Sequence, residues 1–321
     1  MSKHAILLFA LALATTTTHA GAETWPARPV KAIVPFAPGS VADVVPRIVF
    51  EQLSTQLGQP IIVENRGGAG GTIGAQHVAK SQPNGYTLLV NSSAHTIGPA
   101  LYASLGYDPA RDFAAVIPLG VTPNVLVVPS SRNFRSVSDL VAAARSQPGK
   151  LAYGSAGVGT ATHLSAERFL MSAAAQALHV PFKGGPEIVA ELLAGRIDFF
   201  FGPIGILRPH IVSGKLSALA VNTARRSALL PDVPTLSQAG VANAEYPFWI
   251  GVLAPAGTPR EIVDKLHRET LVALQAPAVR EKLGALGVDP MPMAPGEFDA
   301  LIQGEIALNM ALAKAAGIAA Q

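Results

Sequence analysis

The sequence predicts an α/β protein built as two lobes, and three observations support this prediction. The chain has 321 residues, of which 49% are hydrophobic and 14% charged, so it can bury more than one core and is not expected to be disordered. From Val30 onward, short Val/Ile/Leu-rich runs alternate with longer segments of helical period, which is typical of mainly parallel sheets with both faces covered. Because nine such runs would make an unusually large open sheet, two sheets are favoured.

The candidate strands share a short, β-branched and apolar composition. In chain order they are 30–36, 60–64, 86–90, 124–129, 151–155, 178–182, 197–201, 216–221 and 250–255. Apolar residues from Val41 to Leu53 recur at i, i+3 and i+4, which predicts a helix after the first strand. Further helices are predicted after Ser138, from Ala161, over 187–194, from Pro259 as a first helical residue, and over 296–316.

The first 22 residues have the features of a cleaved signal peptide. Lys3 supplies a basic start, residues 5–14 form an apolar run, and Ala20-Gly21-Ala22 fits a small-x-small cleavage site. Because ten apolar residues cannot span ~30 Å of hydrocarbon, a membrane anchor is not expected. We expect an exported, periplasmic protein, cleaved after Ala22, with no membrane anchor after processing.

Composition and motifs exclude several classes of protein. The net charge is +3, or +2 without Lys3, and no cluster of basic residues with aromatic neighbours indicates a nucleic-acid partner. The chain has no cysteine, which excludes a thiolate nucleophile and Cys-ligated metals. Neither paired histidines nor a Walker-type glycine loop occurs. The sequence therefore predicts no cofactor and no metal.

The glycine-rich stretch "GGAGGTIG" at 67–74 allows two interpretations. It could be a variant dinucleotide-binding turn, but the next strand ends in "NSS" rather than in an acidic residue for a ribose, and an exported protein has little access to NAD(P). A tight turn with close helix packing is favoured.

Two loops could bind a ligand. "IVPFAPGSVADVV" (33–45) and "YGSAGVGTATHL" (153–164) each follow a strand, contain glycine and a hydroxyl residue, and enter a helix. Helix N-termini at the carboxyl ends of strands present amide donors, so two of them facing across a cleft could clamp a carboxylate without an arginine. The alternative is plain capping, with Ser40 as N-cap and Asp43 reaching back to the amide of Ser40.

Stretches in nearly the whole mature chain resemble one family. They are "WPARPVKAIVPFAPGSVADVV", "GQPIIVENRGGAGGTIGAQHVAKSQPNGYTLLV", "NVLVV", "KLAYGSAGVGTATHLSAERF", "HVPFKGG", "LLAGRIDFFF", "GKLSALAV", "LPDVPTLSQAG" and "GVLAPAGTP". In this order they resemble the extracytoplasmic substrate-binding receptors of tripartite tricarboxylate transporters, the Bug receptor family.

The resemblance implies a two-lobe periplasmic binding protein fold, type II-like, in which each lobe is a mixed, mainly parallel sheet flanked by helices. It implies lobe 1 at 23–122 and 246–321 and lobe 2 at 123–245, with the ligand cleft between them. It also implies a monomeric solute receptor, not an enzyme, that binds a small organic mono-, di- or aromatic carboxylate and delivers it to membrane permease subunits. Docking on a sensor kinase is the alternative output, and an exported hydrolase or dehydrogenase the less favoured alternative function.

Carried over by position, the resemblance implies ligand contacts from both loops and from the end of the third strand. These residues are Phe36, Pro38, Gly39, Ser40 and Asp43, then Asn91, Ser92 and Ser93, and then Ser155, Ala156, Gly157, Gly159, Thr160, His163 and Phe201. Replacing Ser155 or Thr160 by alanine is expected to weaken binding and to leave the unliganded melting point nearly unchanged.

Two positions depart from the family pattern. Ser40 stands where a second glycine is usual, and Gly202-Pro203 follows "IDFFF" where Asp-Asn is frequent. The second change favours a less hydrated ligand, and it makes Phe36, Phe200, Phe201 and Trp249 candidates for stacking on that ligand, although strand-end aromatics pack in the core more often.

Overall fold

The computed structural model describes residues 25–182, 184–318 and 320. The predicted signal peptide, residues 1–22, lies outside the described residues. Across the described part of the chain, no helix combines the length and the apolar character that crossing a membrane requires.

Lobe 1 is a five-stranded sheet with helices on both faces. Its strands are β1 (Val30–Val34), β2 (Ile61–Asn65), β3 (Thr87–Ser92), β4 (Phe113–Thr122) and β10 (Phe248–Pro255). Its helices are α1 (Val41–Leu57), α2 (Thr72–Ala79), α3 (Ala94–Leu101), α8 (Arg260–Gln275), α9 (Pro277–Ala285) and α10 (Pro295–Ala315). The strand order is β2-β1-β3-β10-β4, and β10 alone runs against the other four strands.

Lobe 2 repeats this plan. Its strands are β5 (Asn124–Pro129), β6 (Ala152–Ser155), β7 (Leu178–Pro181), β8 (Phe199–Pro203) and β9 (Leu216–Val221). Its helices are α4 (Val137–Ser146), α5 (Ala161–Ser172), α6 (Gly185–Leu193) and α7 (Ile204–Val212). The strand order is β7-β6-β8-β5-β9, with β5 antiparallel to its neighbours. The predicted mixed, mainly parallel sheets flanked by helices are therefore confirmed.

Each sheet separates two apolar layers. In β1, Val30, Ala32, Ile33 and Val34 are all buried, because α1 covers one face of the strand and α2 the other. A strand buried on both faces reads as a continuous apolar run rather than an alternating one. This composition made strands such as β1 and β5 visible in the sequence, whereas the edge strands β2 and β7 are only partly buried.

One strand was not predicted. β4 contains Pro118 and Gly120, which weaken a strand pattern. β4 lies next to β10 at one end of the five-strand order, and Pro118 pairs with Gly251 where the register shifts. Because proline is tolerated at edges and irregularities of sheets, the strand forms despite its sequence.

Two adjacent chain crossings join the sheets. The chain passes from β4 to β5 at Pro123 and returns between β9 and β10. The side chain of Asn222 binds both crossings: its Oδ1 accepts a hydrogen bond from the Asn124 amide (2.9 Å), and its Nδ2 donates to the Tyr246 carbonyl (2.6 Å). Paired strand-like crossings, not a flexible tether, therefore connect the lobes. The lobe boundaries near 122 and 245 stay predictions.

Candidate functional site

A cavity of about 340 Å³ lies where the two lobes meet, and we call it the interlobe cavity. Lobe 1 contributes Gly70, Gly71, Thr72, Asn91, Ala94, Ile97, Gly98, Leu101, Tyr102, Tyr107 and Phe248, and lobe 2 contributes Val158, Gly159, Thr160 and Ala161. The walls combine apolar side chains with hydroxyl and amide groups. Among the described residues, no lysine or arginine lines this cavity.

The lobe 2 loop, residues 155–160, is held by its own hydroxyl groups. Ser155 Oγ donates to the Gly157 carbonyl (3.0 Å) and accepts from the Gly157 amide (3.1 Å). Thr160 Oγ1 donates to the same carbonyl (2.8 Å) and caps α5 by accepting from the His163 amide (3.4 Å). The amides of Ala161 and Thr162, in the first turn of α5, have no partner within the helix and can donate to an anion.

The buried side chain of His163 supports this loop. Its Nδ1 accepts a hydrogen bond from the Gly159 amide (3.0 Å), and its ring stacks on His179 with centroids 3.8 Å apart. Burial lowers the pKa of His163 to about 4, and the nearby His179 acts in the same direction. A neutral imidazole is what the loop requires, because a protonated Nδ1 cannot accept from an amide. His163 thus supports the loop from a buried position, and its predicted ligand contact stays a prediction.

Gly159 packs closely against the opposite lobe. It has φ of +74°, and a Cβ built on it would lie 2.6 Å from Cδ2 of Leu101 on α3. A side chain at this position would be strained and would also press on the opposite lobe. Leu101, Ile97, Ala161 and Leu164 belong to an apolar cluster that joins α3, α5 and α10.

In the lobe 1 loop, residues 35–40, the predicted capping arrangement is wrong. Asp43 Oδ2 accepts from the amide of Gly39 (2.8 Å), not from that of Ser40, and Oδ1 accepts from Arg47 Nε (3.0 Å) and Asn65 Nδ2 (2.8 Å). Gly39 has φ of +80°, which turns its amide toward the carboxylate. Burial alone would raise the pKa of Asp43, but the hydrogen bonds from Arg47, Gly39 and Asn65 bring it below its ordinary value. Asp43 thus fixes the loop within its own lobe.

Ser40 and Ser93 stand at the starts of α1 and α3 without capping them. Neither hydroxyl makes a side-chain capping bond, and each Oγ is buried with no hydrogen-bond partner in the part of the chain that the structure describes. These two serines follow β1 and β3, which are adjacent and parallel. Since an unsatisfied buried hydroxyl costs about 1–3 kcal/mol, this pair at one edge of the sheet needs an explanation.

Asn91 presents its amide into the interlobe cavity from a fixed position. His95 Nε2 donates to the Pro109 carbonyl (3.1 Å), so the His95 Nδ1 is the acceptor for Asn91 Nδ2 (3.2 Å). Asn91 Oδ1 accepts from the Ser92 amide (2.8 Å). Burial lowers the pKa of His95 to about 4, so the ring stays neutral and this chain of bonds holds the Asn91 side chain in one orientation.

Three of the predicted site residues line the interlobe cavity: Asn91, Gly159 and Thr160. The others lie outside its lining. They are Phe36, Pro38, Gly39, Ser40, Asp43, Ser92, Ser93, Ser155, Ala156, Gly157, His163 and Phe201.

The aromatic stacking prediction is wrong for three of its four rings. Phe201 is fully buried in the lobe 2 core and packs on Phe169, and Phe200 is buried on the opposite face of the same sheet. Trp249 is fully buried and donates its Nε1 hydrogen to Glu305 (2.9 Å). These three aromatic side chains pack in the hydrophobic cores of the lobes. Phe36 is half-buried and packs against the lobe 1 core.

The sequence analysis did not identify Tyr102 and Tyr107, which form part of the cavity wall. The tight turn predicted at 67–74 is confirmed: a Cβ on Gly70 would lie 2.5 Å from the hydroxyl of Tyr102, and one on Gly74 would lie 2.7 Å from the Arg66 carbonyl. The same turn lines the cavity beside Tyr102 and Tyr107. In the sequence, only the glycine spacing indicated this turn. The helix α3 was not predicted, because it contains Gly98 and Pro99, which are poor helix formers.

A serine and a histidine do meet in lobe 2, but not as a hydrolytic pair. Ser155 Oγ lies 2.6 Å from His179 Nε2. Ser155 is fully buried, its hydroxyl already bonds to Gly157, and within the described residues no carboxylate orients the His179 ring. A nucleophile must reach its substrate, and its base must be oriented, so this pair is structural.

Two similar α/β lobes, two adjacent crossings and a cavity at helix N-termini between the lobes define a two-lobe binding protein of the periplasmic type. The family model of the tripartite tricarboxylate transporter family receptor matches residues 45–318, and the chain belongs to this family. Protein BugT of Bordetella pertussis is 36% identical over 304 residues, covering 94% of this chain and 93% of that protein. The family resemblance read from the sequence is therefore confirmed, and the family is one of solute-binding receptors, not of enzymes.

Two solved structures with bound ligands are similar to this chain. Rhodopseudomonas palustris Rpa4515 with adipate is 35% identical with a TM-score of 0.73, covering 92% of this chain and 100% of that one. MatC (Rpa3494) from R. palustris with bound malate is 33% identical with a TM-score of 0.69, covering 90% and 99%. Both ligands are dicarboxylates.

Proposed function

We propose that this protein is an extracytoplasmic receptor that binds a small organic carboxylate between its lobes and delivers it to a tripartite-type membrane transporter. The observation that carries the proposal is the pair of buried, unpartnered hydroxyls of Ser40 and Ser93 at adjacent helix starts. Carboxylate oxygens accept hydrogen bonds from hydroxyls and from first-turn amides, and the helix dipoles favour the negative charge. Ligand binding would thus satisfy groups that the protein leaves without partners.

The other lobe would supply the second half of the clamp. From lobe 2, Ala161 lines the interlobe cavity at the start of α5, and from lobe 1 the walls include Asn91, Ile97, Leu101 and Phe248. Family membership and the adipate and malate complexes of relatives support a dicarboxylate. Because these walls are largely apolar, we propose an aliphatic chain between the two carboxylates rather than a hydroxylated one.

A thermal panel tests the ligand class. Mature protein is melted with succinate, adipate, malate, citrate and benzoate, and a ligand at a hundredfold excess over Kd should stabilise it by about 2.7 kcal/mol. We expect the largest shift with adipate and a smaller one with malate. A panel without any shift would refute carboxylate binding.

Two matched serine variants locate the carboxylate. Ser93→Ala removes an unpartnered hydroxyl, so we expect about tenfold weaker binding with an unchanged unliganded melting point. Ser136→Ala is the control, because Ser136 caps α4 by accepting from the Asp139 amide (3.1 Å), on a helix that does not line the interlobe cavity. The control should lose about 1 kcal/mol of stability and keep its affinity. Equal affinities for wild type and Ser93→Ala would exclude this hydroxyl from the site.

The second part of the proposal concerns the cellular location of the protein and the membrane protein to which it delivers its ligand. We propose export through residues 1–22 and release as a monomer, which N-terminal sequencing of the periplasmic protein and its sedimentation would check. Delivery is tested by ligand-dependent capture of the permease subunits from solubilised membranes. Ligand-dependent capture of a sensor kinase instead would indicate a sensing output.

A further inference from the structure

A second cavity, of about 910 Å³, lies on the other side of the crossing that leads into β10, and we call it the rear cavity. Tyr246 and Pro247 line the rear cavity, whereas the next residue, Phe248, lines the interlobe cavity. Its remaining walls come from 223–228 after β9, 289–293 before α10, and α10 itself. The two cavities share no lining residue, so the rear cavity is distinct from the proposed carboxylate site.

The walls of the rear cavity are mainly apolar. Met291, Met293, Leu301 and Leu308 line it together with Tyr246 and Pro247. Cavities of this size are typical of sites for organic molecules, and methionine side chains adapt to the shape of an apolar ligand. The lining thus provides a surface for a hydrocarbon chain or ring.

A half-buried carboxylate gives the rear cavity its chemical character. Glu305 Oε2 accepts hydrogen bonds from Trp249 Nε1 (2.9 Å) and Thr96 Oγ1 (3.0 Å). Its Oε1 has no partner among the residues that the structure describes, and the side chain lines the cavity. Burial raises the pKa of Glu305 to about 7. Trp249 and Thr96 both donate to Oε2, so a cation at Oε1 would stabilise the carboxylate further.

The other charged groups at this cavity do not fill that role. Arg226 donates from Nε to the Gln238 side chain (2.8 Å) and from a terminal nitrogen to the Pro231 carbonyl (3.1 Å). Arg225 and Arg226 are exposed, and Glu245 and Asp289 add negative charge to the lining. In the described part of the chain, no cation pairs with Glu305.

We propose that the rear cavity is a second ligand site that takes an apolar molecule carrying an ammonium group. The ammonium donates to Oε1 of Glu305, and the hydrocarbon part packs on Met291, Met293 and Leu301. The ligand of the rear cavity thus has the opposite charge from the ligand of the interlobe cavity. Because each site has its own lining, both can be occupied at once.

The binding experiment uses n-octylamine at pH 8, with n-octanol and octanoate as probes of equal chain length. Trp249 fluorescence in a Trp25→Phe background reports binding, because Trp249 bonds directly to Glu305 and the chain has only two tryptophans. We expect saturable octylamine binding, at least tenfold weaker octanol binding, and none for octanoate. Equal affinities for octylamine and octanol, or no saturation by about 1 mM, would overturn the proposal.

Two variants keep the test decisive. Glu305→Gln should weaken octylamine binding about tenfold and leave octanol unchanged. Gly304→Phe should abolish binding of both, since Gly304 lines the cavity on α10 and a Cβ there meets nothing within 4 Å, so the variant is expected to fold. Saturating dicarboxylate should not displace octylamine. Competitive displacement would place the amine in the interlobe cavity and overturn the proposal.

Discussion

The loops at 35–40 and 155–160 have similar sequences, but their hydroxyl groups have different partners. In the lobe 2 loop, Ser155 and Thr160 bond to the Gly157 backbone, and Thr160 also caps α5. In the lobe 1 loop, the Asp43 carboxylate holds the backbone, and the hydroxyl of Ser40 has no partner among the described residues. One loop thus satisfies its own hydroxyl groups, and the other has a hydroxyl without a partner among the described residues. The sequence of a Gly/Ser loop before a helix indicates that a hydroxyl group is present, but it does not indicate which group that hydroxyl bonds to.

The largest effect is expected from a side chain at Gly159. Gly159→Ala places a methyl group against Leu101 of the other lobe, at 2.6 Å from its Cδ2, and overpacking of this kind costs about 1–3 kcal/mol. Because Gly159 and Leu101 belong to opposite lobes and both line the interlobe cavity, we expect about a hundredfold weaker dicarboxylate binding by calorimetry.

Gly39→Ala is the matched control for this clash. Gly39 also has a positive φ, +80°, but a Cβ there meets nothing within 4 Å. Both variants should lose about 1–2 kcal/mol of unfolding free energy from backbone strain, and only Gly159→Ala should lose affinity through a clash. Because Leu101 also lines the interlobe cavity, the double variant Gly159→Ala/Leu101→Ala is compared with Leu101→Ala alone, and the two should bind with similar affinity. A double variant that binds much more weakly than Leu101→Ala would mean that strain, not contact between the lobes, causes the defect.

The next effect separates the two hydroxyl groups. Ser40→Ala should weaken dicarboxylate binding about tenfold and leave the unliganded melting point unchanged or slightly higher, because it removes a buried, unpartnered hydroxyl. Thr160→Ala should lower the unliganded melting point, since it removes a helix cap worth about 1 kcal/mol. The hydrogen bonds of Ser155 and Thr160 thus change the expectation, drawn from sequence, that their alanine variants keep full stability. A melting point lowered equally by both variants would mean that Ser40 is structural.

A pH effect of intermediate size should follow from His163. Its pKa is lowered to about 4, so below the ordinary value of 6.5 the unfolded chain binds the proton that the folded protein excludes. Stability contributed by neutral His163 is therefore full above pH 6.5 and is lost as pH falls toward 4. His179, whose pKa burial also lowers, adds an effect of the same sign, and Glu167 lies 3.9 Å from His163 Nε2 as the facing acid.

Urea unfolding from pH 8 to pH 4 measures this effect. Wild type should lose about 1–3 kcal/mol more than His163→Gln over the window from 6.5 to 4. His179→Gln is the comparison for the second ring of the stack. Parallel stability curves for wild type and His163→Gln would contradict the assignment of a neutral, loop-supporting imidazole.

The sequence predicted the fold well where local composition decides structure. Strands such as β1 and β5 were visible because apolar runs buried on both faces are continuous, while β4 was hidden by Pro118 and Gly120, and α3 by Gly98 and Pro99. Those two elements form because their neighbours hold them in place. Propensity alone could not indicate them.

The site was predictable only at strand ends. Asn91 lies near the carboxyl end of β3, and Gly159 and Thr160 follow β6, so the general rule that ligands bind at the carboxyl ends of strands in α/β sheets finds them. Tyr102 and Tyr107 reach the cavity through packing between segments distant in sequence, which no local pattern records. The assignment of Phe201 to the ligand site was wrong because β8 is buried on both faces. The sequence of such a strand does not indicate whether its last aromatic residue, Phe201, faces the core or the cavity.

The smallest effect is expected at Asp43. It tests whether the Asp43 carboxylate fixes the lobe 1 loop, in which the Ser40 hydroxyl makes no capping bond. Asp43→Asn keeps the size of the side chain but replaces one acceptor oxygen by a donor, which cannot accept from both the Gly39 amide and the Arg47 and Asn65 side chains. We expect a loss of about 1 kcal/mol, measured by urea unfolding at pH 7, because Arg47 is partly exposed and its ion pair is screened. The pKa of Asp43 is lowered, so this contribution should be present above pH 3.8 and vanish as pH falls further. A variant as stable as wild type at pH 7 would show that another group holds Gly39, and Ser40 would then be the hydroxyl to test as its partner.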